Sequence, residues 1–112
     1  MNWNDLSNME QLDTIDEESA EGKVLLFKHS TRCSISATVL NRMERNWQES
    51  DSDKIKPYYL DLIRHRGISQ AISAHYGIVH ESPQVLIIYK RNCIYHASHL
   101  NISYTELIAH QS

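Results

Sequence analysis

Val24-Leu25-Leu26-Phe27-Lys28-His29-Ser30-Thr31-Arg32-Cys33-Ser34-Ile35-Ser36 holds a strand, a polar loop and a helix start in one short stretch. Val24 to Lys28 is an almost unbroken apolar run, bounded by Gly22 before it and by the polar His29-Ser30-Thr31 after it. Such a run reads as a strand covered on both faces, the pattern of a parallel sheet lying under helices. From Ser34 the period changes to that of a helix. Ile35, Val39, Met43 and Trp47 recur at every fourth position and Leu40 widens the stripe, while Asn41, Arg42, Glu44 and Arg45 face away, so a helix is predicted over 34–49. Cys33 therefore stands where a buried strand gives way to a long helix.

Outward from this stretch the chain continues to alternate. Ser7-Asn8-Met9-Glu10 has capping-box spacing, and Met9, Leu12 and Ile15 follow at helical intervals, which predicts a first helix running to about Ala20 and ending near Gly22. The polar cluster 49–56 reads as a loop. After Pro57, residues 58–63 read as a second strand, and 66–76 as a helix ended by Gly77. Val85-Leu86-Ile87-Ile88-Tyr89, the polar turn Lys90-Arg91-Asn92, and Cys93-Ile94-Tyr95-His96-Ala97 must form a hairpin, because so short a turn cannot join parallel strands. A second capping-box spacing, Ser103-Tyr104-Thr105-Glu106, opens a closing helix through Leu107 and Ile108.

The order helix, strand, helix, strand, helix, strand, strand, helix gives two crossover units followed by an antiparallel hairpin. With a cysteine at the start of the helix after the first strand and a proline just before the hairpin, this is similar to the thioredoxin arrangement. The expected fold is α/β and thioredoxin-like, with a central mixed four-stranded sheet flanked by helices and an extra N-terminal helix. A single domain spans residues 1–112, a length that buries enough apolar surface to fold alone.

Cys33 is the residue on which chemistry is expected. At a helix start its sulfur lies beside unpaired first-turn N–H groups and the positive end of the helix dipole, which favour thiolate over thiol. Arg32 adds a cation, and the hydroxyls of Thr31, Ser34 and Ser36 are candidates to donate to the sulfur. Ser82-Pro83 precedes the hairpin, where a thioredoxin-like chain carries a cis-proline beside its reactive sulfur. Only about 5–6% of X-Pro bonds are cis, so that geometry here marks function; a proline at a strand start is otherwise an ordinary edge feature. Serine stands at position 36, where a C-x-x-C motif places its resolving thiol. Cys93 opens the hairpin's second strand, roughly 20 Å from Pro83 by strand rise, too far for a disulfide, and reads as a packed strand residue.

Bulk properties narrow the remaining classes. The net charge of -3 comes from interspersed charges and no basic stripe appears, so neither nucleic acid nor an anionic membrane is an expected partner. No signal-like or membrane-spanning run is present, and a cytoplasmic protein is expected. With two cysteines, a transient disulfide fits better than a structural one. Cys93, His96 and His99 do not share one strand face, so no metal is expected. His29 and His80 fall near the thiol motif and the proline, where either can tune a thiolate or serve as a plain loop residue.

Ser30-Thr31-Arg32-Cys33-Ser34-Ile35-Ser36, Glu81-Ser82-Pro83-Gln84 and His96-Ala97-Ser98-His99 resemble the monothiol bacilliredoxins, the bacillithiol-system redox proteins of the YtxJ family. The likeness covers nearly the whole chain, including Trp3 and the first helix. It implies a thiol-disulfide oxidoreductase that removes bacillithiol, a Cys-GlcN-malate thiol, from bacillithiolated cytosolic proteins. Cys33 would be the nucleophile, Pro83 the cis-proline that supports the substrate disulfide, and Ser82 its neighbour at the substrate. Bacillithiol would be a co-substrate, with no bound cofactor and a monomeric enzyme. Two other readings remain open on the residues alone. One is a glutaredoxin-like monothiol enzyme acting on another small thiol; the other is a thioredoxin-fold adaptor or redox sensor without turnover. Cluster-binding monothiol proteins carry C-G-F-S, whereas this chain has Cys33-Ser34-Ile35-Ser36.

Overall fold

The computed structural model describes residues 1–111. The elements are β1 (Asn4–Asp5), α1 (Gln11–Ser19), β2 (Lys23–His29), α2 (Ser34–Asn46), α3 (Glu49–Lys54), β3 (Ile55–Asp61), α4 (Arg66–Tyr76), β4 (Gln84–Tyr89), β5 (Asn92–Ser98), a 3-10 turn (His99–Asn101) and α5 (Tyr104–Ile108). The sheet runs β1-β3-β2-β4-β5, with β2 parallel to β3 and antiparallel to β4, and β4 antiparallel to β5. The thioredoxin-like α/β class is as expected, but the sheet has five strands and not four. The added strand is β1, whose Asn4 and Asp5 pair in parallel with Tyr58 and Tyr59. Two residues carry no alternation of polar and apolar side chains, so only the pairing reveals a strand.

Alternate residues of the sheet feed two cores. Val24, Leu26, Leu60, Leu86 and Ile88 pack against Leu12 and Ile15 of α1 and Ile68 and Ile72 of α4. Leu25, Phe27, Val85 and Ile87 face the other way, onto Val39 and Met43 of α2 and Leu107 of α5. The fully apolar reading of β2 follows from this double cover.

Several element ends differ from the sequence expectation. The Ser7 capping box does not form; the Gln11 side chain instead accepts the N–H groups of Ser7 and Asn8 at 2.7 and 3.0 Å, and Met9 is exposed. The helix predicted over 34–49 stops at Asn46, where Trp47 turns extended. Residues 49–54 are helical and not a loop. Asp51, the one buried member of that polar run, accepts from the Gln48 N–H at 2.8 Å, the Tyr104 hydroxyl at 2.7 Å and the Gln111 amide at 2.6 Å, so polar contacts and not an apolar face hold α3 in place. Pro57 lies inside β3, opposite Leu25. Its carbonyl points outward to the Asn4 side chain, so its missing N–H falls on the side away from β2 and removes no bond from that ladder.

The hairpin turn consists of Lys90 and Arg91 alone, both left-handed with φ of 51 and 64°, the conformation of a two-residue type I′ turn. Ser19 at the end of α1 holds this strained pair, its carbonyl taking the Lys90 N–H and its hydroxyl the Arg91 N–H.

Candidate active site

β2 delivers the chain at its carboxyl end to a short loop, 30–33, and Cys33 is the N-cap of α2 with extended backbone (φ -112°, ψ 119°). Its N–H donates to the Ser30 carbonyl at 3.2 Å and its own carbonyl takes the Ala37 N–H at 3.1 Å, the first bond of the helix. The cysteine is half-buried, while Thr31, Arg32 and Ser34 are exposed around it.

Ser36 has a different place from the one its position suggested. It is fully buried, its oxygen accepts the Ser30 N–H at 3.0 Å, and it lies 2.6 Å from Nδ1 of His29. The hydroxyl is thereby committed to the end of β2, to His29 and the Ser30 N–H, and not to the sulfur. His29 sits in an aromatic wall with Phe27 and Tyr59, at ring separations of 5.8 and 5.5 Å. Burial pushes the His29 pKa down, while the carboxylates of Asp61 and Glu44 pull weakly upward, so the ring is neutral near pH 7. Strand alternation would have placed His29 on the α2 face, but no local pattern names Ser36 as its partner.

Pro83 reaches the same pole by a different route. Lys28 pairs with Gln84 across the antiparallel β2–β4 ladder, so the end of β2 and the start of β4 lie side by side. Pro83 is buried, and the Ser82-Pro83 peptide is cis. The Pro83 carbonyl accepts the N–H of His99, itself left-handed at φ 55°, at 2.9 Å, and the His99 ring stands 3.5 Å from the Glu81 carboxylate. The Ser82 hydroxyl is buried without a hydrogen-bond partner among the described residues. Three exposed apolar side chains belong to the segments that converge here: Ile35 at 41%, Leu100 at 59% and Val79 at 81% exposure.

Cys93 is at the far end of the hairpin, opposite Ile88, half-buried against the α1–α4 core. Its Sγ–H donates to the Tyr95 carbonyl at 3.2 Å, and burial pushes its pKa up. Both cysteines are free.

Residues 4–107, almost the entire chain, match the family of the monothiol bacilliredoxin BrxC. The chain belongs to that family. Solved structures similar to this one share the thioredoxin fold. One, described by its thioredoxin fold, is 27% identical, with a TM-score of 0.82 over 96% of this chain and 92% of its own. The thioredoxin Mala s 13 of Malassezia sympodialis is 14% identical, with a TM-score of 0.77 over 98% and 88%. Thioredoxin of Trypanosoma brucei brucei is 15% identical, with a TM-score of 0.70 over 98% and 87%. The last two likenesses concern the fold alone. No helix among the described residues of this bacilliredoxin is long and apolar enough to cross a membrane.

Proposed function

We propose that this protein removes bacillithiol from S-bacillithiolated proteins by a monothiol exchange at Cys33. The observation that carries the reading is the separation of the two cysteines. Cys33 caps α2 at the pole shared with Pro83, Ser36 fills the position of a second thiol, and Cys93 packs at the other end of the hairpin.

The attacking species is the Cys33 thiolate, and the unpaired N–H groups of a helix's first turn favour a negative charge there. It attacks the bacillithiol sulfur of the mixed disulfide, the sulfur–sulfur bond to the client breaks, and the client thiolate leaves and takes up a proton. Cys33 then carries bacillithiol as a disulfide. A second bacillithiol thiolate attacks the bacillithiol sulfur of that adduct and releases the Cys33 thiolate with oxidised bacillithiol. Overall one sulfur–sulfur bond is exchanged for another: the mixed disulfide and one bacillithiol thiol become the client thiol and bacillithiol disulfide, the client sulfur gaining the electron that the second bacillithiol sulfur gives up. Pro83, Ser82 and the exposed hydroxyls and guanidinium of Thr31, Ser34 and Arg32 line the approach to the sulfur, and Ile35, Val79 and Leu100 offer apolar contact to a client chain. No bound cofactor is required; the enzyme works as a monomer in a reducing cytoplasm, where such adducts are transient.

The test is intact-protein mass spectrometry after mixing with an S-bacillithiolated protein, with the S-glutathionylated form of the same protein as control. The client should lose bacillithiol while Cys33 gains it. Equal or faster transfer of glutathione would point to another small thiol, and no transfer of either would leave an adaptor.

A further inference from the structure

Lys28 precedes His29 in β2, so its side chain leaves the sheet on the face away from α2. It is fully buried, and its ammonium has an acceptor for each N–H: the Ser69 carbonyl at 3.0 Å, the Ser73 hydroxyl at 2.9 Å and Nδ1 of His80 at 3.2 Å. None of the three is a carboxylate. Burial brings Lys28 down to about 8, and burial followed by the Lys28 charge lowers His80, so the imidazole is neutral and accepts at Nδ1. An apolar side chain of similar length would fill this space without desolvating a charge. What the lysine adds is a three-way tie. Ser69 and Ser73 belong to α4, and His80 lies in the segment 77–83 that ends on Pro83.

Apart from this tie, a few polar contacts hold the segment. Ile78 donates to the Ser73 carbonyl at 3.1 Å, the Gln84 amide donates to the Val79 carbonyl at 3.0 Å, the Ser69 hydroxyl stands 3.3 Å from the same His80 nitrogen, and the Glu81 carboxylate stands 3.5 Å from the His99 ring. Val79 is largely in solvent and His80 is exposed, so polar contacts and not burial hold these two residues.

We propose that Lys28 is a positioning residue for the disulfide exchange: through its hydrogen bond to His80 it sets the path of segment 77–83, and with it the placement of Pro83 against a disulfide held at Cys33. This rests on the reading of Cys33 as nucleophile and Pro83 as support. It separates two rates that a general loss of structure would lower together. Attack on a mixed disulfide needs Pro83 in place, whereas alkylation of Cys33 by iodoacetamide needs only the sulfur.

Both rates are measured for wild type, Lys28→Met, His80→Ala and His80→Asn, the last keeping an acceptor near the position of Nδ1. Lys28→Met and His80→Ala should each lower kcat/KM for an S-bacillithiolated protein about fivefold or more, since small misplacements of a reacting group carry large rate costs. Alkylation should stay within about twofold of wild type, and His80→Asn should recover most of the loss. The exposed His80 variants carry the test if Lys28→Met fails to fold. Equal falls in both rates, an unchanged kcat/KM in His80→Ala, or a His80→Asn no better than alanine overturns the proposal. A wild type that leaves the mixed disulfide intact sinks the reading beneath it, whereas an active wild type with indifferent variants sinks this proposal alone.

Discussion

Nδ1 of His29 lies 2.6 Å from the hydroxyl oxygen of Ser36, and that oxygen also takes the backbone N–H of Ser30. The residue in the place of a second thiol thus fastens the first turn of α2 to the end of β2, and Cys33 is held between them. A dithiol thioredoxin-like site would use this position for redox chemistry; here its hydroxyl is a structural tie.

Replacing Ser36 by alanine leaves the Ser30 N–H and the His29 nitrogen buried without their partner. The expected cost is about 1–3 kcal/mol of unfolding free energy, read from urea denaturation. A loss below about 0.5 kcal/mol, the level of an ordinary surface change, would mean that the tie is not formed in solution.

The two cysteines should behave oppositely. Cys33→Ser abolishes transfer of bacillithiol, while Cys93→Ser, which removes a packed and hydrogen-bonded thiol, retains it and loses about 1 kcal/mol of stability. Intact-protein mass spectrometry of the wild type should show one added bacillithiol and no loss of two hydrogens. An internal Cys33–Cys93 disulfide, with turnover lost in Cys93→Ser, would refute the monothiol mechanism.

Lys28 makes stability depend on alkaline pH in an unusual direction. Burial lowers its pKa from 10.5 to about 8, so between those values the unfolded chain holds a proton that the folded chain has released. Stability rises with pH wherever the unfolded state binds more protons. The unfolding free energy of wild type relative to Lys28→Met should therefore increase from pH 8 to 10.5; a flat or falling difference would show that the amine is solvated.

Asp51 acts at the other end of the scale. Burial pushes its carboxyl up, but the bonds from Gln111, the Gln48 N–H and Tyr104 outweigh it, and the pKa lies below the ordinary 3.8. Its contribution is complete above that value and is lost as pH falls through the lower folded-state pKa, because the unfolded chain protonates first. Asp51→Asn should be less stable than wild type at neutral pH, with the gap closing below about pH 4. Thermal unfolding across that range gives the comparison, and a constant gap would mean that charge is irrelevant at this position.

Features carried by neighbours in the chain are legible in its sequence, and features that join distant segments are not. The helical period from Ile35 to Met43 and the apolar run of β2 are properties of neighbours in the chain, so the strand, the helix and the place of Cys33 at their junction were legible. The capping-box spacing at Ser7 misleads because the Gln11 side chain takes the Ser7 N–H that Glu10 would have accepted, together with that of Asn8. The helix over Glu49–Lys54 has the local pattern of a loop because its anchor is a buried carboxylate bonded to residues far along the chain. The two-residue turn at Lys90-Arg91 lacks the glycine or asparagine that usually signals positive φ, and Ser19 supplies the compensation from α1.

Sequence alone determined the main helices and strands except β1 and α3, the likeness to a thioredoxin and to the monothiol bacilliredoxins, and the absence of a thiol at position 36, because periodicity and residue identity are written within single segments. Tertiary structure decided that Ser36 serves His29, that Lys28 reaches His80 and that β1 completes the sheet. Each of these joins residues from different elements. Their partners are chosen by strand register and by which face of the sheet a side chain leaves, and that geometry exists only once the strands have paired.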